Sequence, residues 1–246
     1  MQLLSIIQEI RNDHPTMGLR DIYHKIKPAC IGRDKFEAFC KEENLGSKRK
    51  KNYIRTTDSR GFIRYENHIK DLELDHIDQV WVSDISYYSL NGKFYYLCFI
   101  LDAYSRRIIG YCVSKRLLTE KTTLPAIKMA IKTRKRKKLK GQFGLIFHSD
   151  GGGQYHDHDF VKLTREYGMI NSMCEYAWEN GKAERINGVI KNNYLKHRKM
   201  VNWEQLCKEV DRAVSLYNNE KPHIGLNRKS PVEFENELLY LMSKQS

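Results

Sequence analysis

The sequence predicts an α/β fold: a mixed sheet flanked by helices, with a small helical module in front of it. Two observations carry that expectation. Apolar residues recur at helical spacing from Leu3 to Cys40, and from about Gln79 onward β-branched and aromatic runs give way to alternating helical and strand patterns. The chain has 246 residues and is 41% apolar, enough for one substantial core and a small extra module.

Leu3, Ile6, Ile7 and Ile10 share one face of a helix over 2–12. The segment His14-Pro15-Thr16-Met17-Gly18 breaks it. Leu19, Ile22, Tyr23 and Ile26 form the apolar face of a second helix, and Phe36, Phe39 and Cys40 that of a third over 33–43. Three short helices with tight breaks suit a helix-turn-helix-like module. A basic linker containing Lys48, Arg49 and Lys50 follows, in a stretch poor in apolar residues.

Val80 to Leu90 reads as a strand. Asn91-Gly92 then marks a hairpin, because both residues tolerate positive φ. Lys93 to Leu101 returns as a second strand, and Arg107 to Val113 forms a third. A helix over 119–132 runs into the cationic tract Arg134, Lys135, Arg136, Lys137 and Lys138. A short buried strand over 143–148, a helix over 157–166 stopped at Gly168, and a strand over 169–173 complete the alternation. Helices over 180–195 and 203–218 close the domain. The expected boundaries are 1–46 for the helical module, 47–78 for the linker, 79–235 for the core and 236–246 for a C-terminal tail.

With 43 basic and 30 acidic side chains, the net charge is +13, which points to a polyanionic partner. No apolar run is long enough to span a membrane, and the N-terminus lacks the basic region of a signal peptide. Six scattered cysteines without a C-x-x-C pair fit reduced thiols in a cytoplasmic protein rather than a disulfide framework or a zinc site.

Three carboxylates stand out by context. Asp84 lies within the apolar run Val80-Trp81-Val82-Ser83-Asp84-Ile85-Ser86. Asp150 follows a second apolar run and opens a turn, in His148-Ser149-Asp150-Gly151-Gly152-Gly153-Gln154-Tyr155. Glu184 falls near the start of a helix. Carboxylates on a strand, at a strand end and on a helix can meet at one point, where their repulsion is costly unless a cation joins them. Hard divalent ions take carboxylate and phosphate oxygens together, so the set points to metal-assisted phosphoryl transfer on nucleic acid.

These segments resemble the integrase-type transposases of bacterial insertion sequences, specifically the second-frame product of elements that use two overlapping reading frames. The resemblance runs through Trp81-Val82-Ser83-Asp84, Leu101-Asp102-Ala103-Tyr104-Ser105-Arg106, His148-Ser149-Asp150-Gly151, Ala183-Glu184-Arg185-Ile186-Asn187 and Tyr217-Asn218-Asn219-Glu220-Lys221-Pro222 with Pro231. It implies a ribonuclease-H-like core in which Asp84, Asp150 and Glu184 are both catalytic residues and ligands of two Mg²⁺ or Mn²⁺ ions. Only 33 residues separate Asp150 from Glu184, slightly fewer than the family pattern carries, and Glu175 and Glu179 are the rival positions. Glu184 is preferred because Lys191 follows it by two helical turns on the same face.

The resemblance further implies cleavage of element ends and transfer of their 3′-hydroxyls into DNA. It implies a homo-oligomer on DNA and a partner protein from the upstream frame, in the bacterial cytoplasm and with no membrane association. Lys191 is expected at phosphates, and Gln154 and Tyr155 at DNA. The runs Lys48-Arg49-Lys50 and Arg134-Lys135-Arg136-Lys137-Lys138 are expected on the DNA backbone. Asp102 is the spare carboxylate, assigned to the Ser105-Arg106 turn. Two alternatives are a nuclease or resolvase on the same fold, and a DNA-binding relic without activity.

Overall fold

A computed structural model describes residues 2–47, 65–139, 144–174 and 180–245. Lys48, Arg49 and Lys50, and the rival acids Glu175 and Glu179, lie outside the described residues. The elements run α1 (Gln2–Asp13), α2 (Leu19–Ile26), α3 (Arg33–Glu42), β1 (Val80–Leu90), β2 (Lys93–Asp102), β3 (Ile108–Ser114), α4 (Thr123–Thr133), β4 (Ile146–Ser149), α5 (His158–Glu166), β5 (Ile170–Met173), α6 (Gly181–Val189), α7 (Trp203–Asn219) and α8 (Pro231–Gln245). No helix among the described residues is long and apolar enough to cross a membrane. All six cysteines are free.

The five strands form one mixed sheet in the order β3-β2-β1-β4-β5. β1, β2 and β3 pair antiparallel, while β4 lies parallel to β1 and β5 parallel to β4. The β1–β2 turn is the expected hairpin: Asn91 and Gly92 both adopt positive φ, 51° and 74°. α4 packs on the sheet so closely that a Cβ on Gly110 would sit 2.3 Å from the Ala126 carbonyl oxygen. Only glycine permits that approach. Trp81, Ile100, Ile109, Ile127, Phe147 and Phe160 are fully or almost fully buried in the resulting core. The segment 200–207 is fastened to the β1–β2 hairpin: Trp203 packs on Tyr95, Lys115 lies over the Trp203 ring, and Asn91 Nδ2 donates to the Val201 carbonyl.

At the start of the sheet, Asp102 is fully buried. Its carboxylate accepts the backbone N–H groups of Asp78 (2.7 Å), Tyr104 (3.0 Å) and Ser105 (2.8 Å), so it shapes the turn after β2 as the sequence implies. Arg134, at the end of α4, completes the network with contacts to Asp78 (3.0 Å) and Asp102 (3.3 Å). Trp81 Nε1 also donates to Asp78.

By compactness the chain divides into residues 1–54, 189–199 and 208–246 in one unit, and 55–188 with 200–207 in the other. This differs from the expected boundaries, because the N-terminal helices are tied to the C-terminal segment. Arg228 pairs with Asp21 at 2.7 Å, Lys25 with Glu220 at 2.9 Å, and Arg212 with Asp13. Buried His14 meets Tyr194 and Glu220, and burial holds its pKa below the ordinary value. Ile7, Ile22, Phe36 and Cys40 form a separate small core under α1–α3.

Two expectations for the C-terminal half are corrected. The helix expected to reach Leu195 leaves α geometry after Val189, and Ile190–Tyr194 forms a wider π-helical turn. The 3.6-residue period behind the same-face spacing of Glu184 and Lys191 therefore stops short of Lys191. Residues 236–245, expected as a tail, belong to α8. The start of α8 is a capping box: Ser230 Oγ accepts the Glu233 N–H, and the Glu233 carboxylate accepts the Ser230 N–H, with Pro231 at the first helical position.

Candidate active site

Register places the first two carboxylates. Ser83 of β1 pairs with Ser149 of the parallel strand β4. Asp84 and Asp150 are the next residues on these neighbouring chains, which in a sheet run about 4.8 Å apart. Asp84 still belongs to β1, while Asp150 has just left β4. Both are half-buried.

The Asp150 turn is braced on two sides. Its carboxylate accepts the Gly152 N–H at 3.1 Å. Gly151 holds a φ of +77°, and the Met173 side chain occupies the space a Cβ would need. His156 Nε2 donates to the Gly151 carbonyl at 3.0 Å, and Tyr65 stacks on the His156 ring. On β4 itself, two residues before Asp150, His148 is fully buried with Nδ1 on Ser172 Oγ of β5 at 3.0 Å, a core histidine.

α6 is laid across β1 by two asparagines. Asn180 Nδ2 donates to the Ser83 carbonyl at 2.9 Å. Asn187 Nδ2 donates to Asp84 Oδ2 at 2.7 Å, and its own Oδ1 accepts from Ser86 Oγ at 2.8 Å. Glu184 sits one turn before Asn187, in the first turn of α6, with an exposed side chain.

The electrostatics report the same convergence. Burial, and then the charges of Asp150 and Glu184, push Asp84 up to about 7, against the pull of the Asn187 hydrogen bond. Burial also raises Asp150, while the Gly152 N–H and His156 oppose it. Among the described residues, no three acidic, histidine or cysteine side chains are drawn into a ready-made cage. Asp84 feels the charges of both other carboxylates, but the three form no closed ligand sphere. That field, lined by oxygen donors and unfavourable to a second and third negative charge, fits a hard divalent cation.

The structure separates the other expected site residues. Tyr155 is 2% exposed; it packs on Phe147 and Phe160, and its hydroxyl lies 2.8 Å from Ser83 Oγ. It supports β1 from inside the core, which corrects its expected contact with DNA. Gln154 remains half-buried in a 3₁₀ turn over Gly153–Tyr155. Arg134 is also corrected: its side chain is 10% exposed and turned onto Asp78 and Asp102, away from solvent phosphates. Lys138 pairs with Glu166 at 2.7 Å. Lys135, Arg136 and Lys137 remain at the surface or half-buried there, and Lys191 lies in the π-helical turn. The sequence reading missed Asn180, Ser86 and Asn187. Asn187, three residues after Glu184 between Ile186 and Val189, carried the one available signal: a polar residue on the buried side of a helix.

The integrase core domain family matches residues 75–177, and a second integrase core domain description matches 170–231. A 31 kDa protein of insertion element IS600 from Shigella sonnei is 28% identical over 209 residues, covering 83% of this chain and 75% of that protein. The transposase of insertion sequence element IS629, also from Shigella sonnei, is 31% identical over 189 residues, covering 74% of this chain and 60% of its own length. This chain therefore spans three quarters of the first relative and about three fifths of the second. Among solved structures, the simian T-cell lymphotropic virus intasome aligns over 93% of this chain and 73% of the matched chain, with a TM-score of 0.55 and 14% identity. The HTLV-2 integrase catalytic core, solved in complex with magnesium, covers 64% of this chain and 95% of its own, with a TM-score of 0.50 and 19% identity. These likenesses identify the fold as that of an integrase catalytic core. The two domain matches together cover well over half of the sequence, and the relatives come from insertion elements: the chain belongs to the integrase-core family of bacterial insertion-sequence transposases.

Proposed function

We propose that the chain is a DNA transposase that cleaves insertion-sequence ends and joins their 3′-hydroxyls to target DNA, with Asp84, Asp150 and Glu184 as catalytic residues. The supporting observation is the register that sets Asp84 of β1 beside Asp150 after β4, with Glu184 in the first turn of α6, whose Asn187 bonds Asp84; the raised pKa of Asp84 agrees with it. Acids from the end of β4 and from α6 act on the one in β1, in a chain of net charge +13.

Asp84, Asp150 and Glu184 would hold divalent metal, Mg²⁺ or Mn²⁺, as a pair of ions. When bound, such ions activate an attacking oxygen and steady the leaving one. The protein's own groups do the positioning. Asn187 fixes Asp84 Oδ2, and the Ile85 N–H also bears on the carboxylate. The Gly152 N–H orients Asp150, and the Met173 and His156 braces keep the turn from moving. Cleavage and joining are each an in-line attack on phosphorus, first by water and then by the DNA 3′-hydroxyl, so one site serves both. No protein nucleophile is required.

The reading extends to partners. Lys191, Gln154, Lys135, Arg136 and Lys137 supply DNA contacts, as does the basic tract Lys48-Arg49-Lys50. Holding two ends together calls for a homo-oligomer on DNA, with an upstream-frame protein as the further partner, in the bacterial cytoplasm. The test uses pre-cut element ends and Mg²⁺, with the upstream partner added. Asp84→Asn, Asp150→Asn and Glu184→Gln should each abolish joined product while DNA binding persists. Nicked DNA without any joined product across all end combinations would replace this reading with a plain nuclease.

A further inference from the structure

The end of α4 breaks a local rule. Arg136 N–H reaches the Ile131 carbonyl (3.0 Å) and Lys135 N–H the Lys132 carbonyl (3.1 Å), the two bonds of a Schellman stop. The left-handed position of that motif belongs to glycine, yet Lys135 occupies it with a φ of 49°. The loop beyond is fixed, because Leu139 N–H bonds the Glu166 carbonyl and Lys138 pairs with the Glu166 carboxylate. The cationic run is thereby held against α5 as a wall.

Between this wall and α5 lies a cavity of about 450 Å³. Its floor is apolar and aromatic, formed by Ile131, Leu163 and Tyr167 at the margin of the main core. Its rim carries Lys128, Lys132, Lys135 and Arg136. Among the described residues none of these four cations has an acidic partner, since the neighbouring acid, Glu166, is occupied by Lys138. Lys128 and Lys132 follow one another at i and i+4 along α4, one turn of about 5.4 Å apart, and Lys135 continues the cationic rim past the end of the helix. Successive phosphates of an extended strand have a comparable spacing.

We propose that this groove binds single-stranded DNA, with a base lying on Tyr167 and the flanking phosphates on Lys128, Lys132, Lys135 and Arg136. The identity of the polyanion rests on the transposase reading; the choice of a single strand rests on the groove. A duplex keeps its bases stacked inside and offers only phosphates to such a rim, leaving an aromatic floor without use. An unpaired strand offers both phosphate and a π-face. The groove is assembled from α4, α5 and the loop after α4, apart from the carboxylates on β1, after β4 and on α6. It would serve as a track for an unpaired flank and takes no part in the chemistry.

The test is fluorescence polarisation of the full chain with a labelled oligothymidylate and with a duplex of equal length, without divalent metal. Tyr167→Leu should weaken single-strand binding by roughly 5- to 100-fold, from a base–aromatic contribution of about 1–3 kcal/mol at 1.4 kcal/mol per tenfold, and leave duplex binding nearly unchanged. Tyr167→Phe should restore single-strand affinity. Lys132→Gln, which leaves the floor intact, should reduce the single-strand salt slope by about 0.7. Equal effects of Tyr167→Leu on both DNAs, no effect on either, an unchanged slope for Lys132→Gln, or displacement of the oligonucleotide by polyglutamate as readily as by unlabelled strand would each overturn the proposal. Because the assay needs no catalysis, a chain that fails to join DNA but shows Tyr167-dependent strand binding refutes the transposase and keeps the groove. Joining without Tyr167 dependence does the reverse.

Discussion

Asn187 Nδ2 donates to Asp84 Oδ2 at 2.7 Å, and Ser86 Oγ, from the same strand as Asp84, donates back to Asn187 Oδ1. The amide is thus oriented by one donor and offers its own N–H to the carboxylate. It both aims Asp84 and favours its ionised form. Asn187→Ala removes a hydrogen bond to a charged group, an interaction of about 1.5–3 kcal/mol, and should lower the rate of strand transfer by roughly 10- to 100-fold. It should also move the acid limb of the pH–rate profile to higher pH, because Asp84 loses the bond that holds its pKa down. A rate loss with an unmoved acid limb would make Asn187 a packing residue only.

Asp84 also sets a stability signature. Its pKa is raised from 3.8 to about 7 in the folded chain, so between those values the folded state binds more protons than the unfolded one. Stability from this group is therefore present at low pH and is lost as pH rises from about 4 through 7. Without metal, Asp84→Asn should raise the melting temperature at pH 8 and raise it distinctly less at pH 5. The gain should be on the order of 2 kcal/mol, reduced by the solvent that reaches this half-buried side chain. Mg²⁺ should stabilise the unsubstituted protein at pH 8 more than the Asn variant. Thermal melts at the two pH values decide it; a larger gain at pH 5 would contradict the assignment.

Arg134 separates structural from DNA-facing cations within one run. Its guanidinium answers Asp78 and the fully buried Asp102. Arg134→Met should destabilise the fold by about 3–5 kcal/mol, because a buried carboxylate loses its counter-charge. The salt dependence of DNA binding should stay as it was. Neutralising Lys135, Arg136 and Lys137 together should do the opposite, flattening the salt slope on duplex DNA by up to about 0.9 for each phosphate no longer neutralised. Chemical denaturation and salt titration of the two variants give the comparison.

The sheet was legible in the sequence because its signals are local. The Val80–Leu90 run and the Asn91-Gly92 turn each state their own conformation, and the contexts of Asp84, within a strand, and Asp150, just past a strand end, follow from them. What stayed hidden depends on partners distant in sequence. Tyr155 and Arg134 look like surface residues among glycines and lysines, yet Ser83 and Asp102, far off in the chain, draw them inward. Asn187 is invisible as a ligand of Asp84 until β1 and α6 meet. The start of α8 is a different kind of miss: Ser230-Pro231-Val232-Glu233 is a local capping signal, obscured because the apolar residues Leu238 to Met242 that follow lack a helical period.

Lys135 offers the last test, since its conformation and its charge pull in opposite directions. A non-glycine residue at a φ of 49° costs about 1 kcal/mol relative to glycine. The bonds from Arg136 to Ile131 and from Leu139 to Glu166 hold the loop there regardless of the side chain. Lys135→Gly should therefore stabilise the fold by up to about 1 kcal/mol, less whatever glycine adds to the freedom of the unfolded chain. The same change removes one cation from the rim of the α4–α5 groove and should weaken single-strand binding several-fold at low salt. Lys135→Ala discriminates between the two effects: it loses the charge but keeps the strain, so it should match the glycine variant in binding and fall below it in stability. If the glycine and alanine variants melt alike, the left-handed turn is not where the strain resides. If Lys135→Gly is more stable and binds DNA equally well, the lysine has no role in the groove.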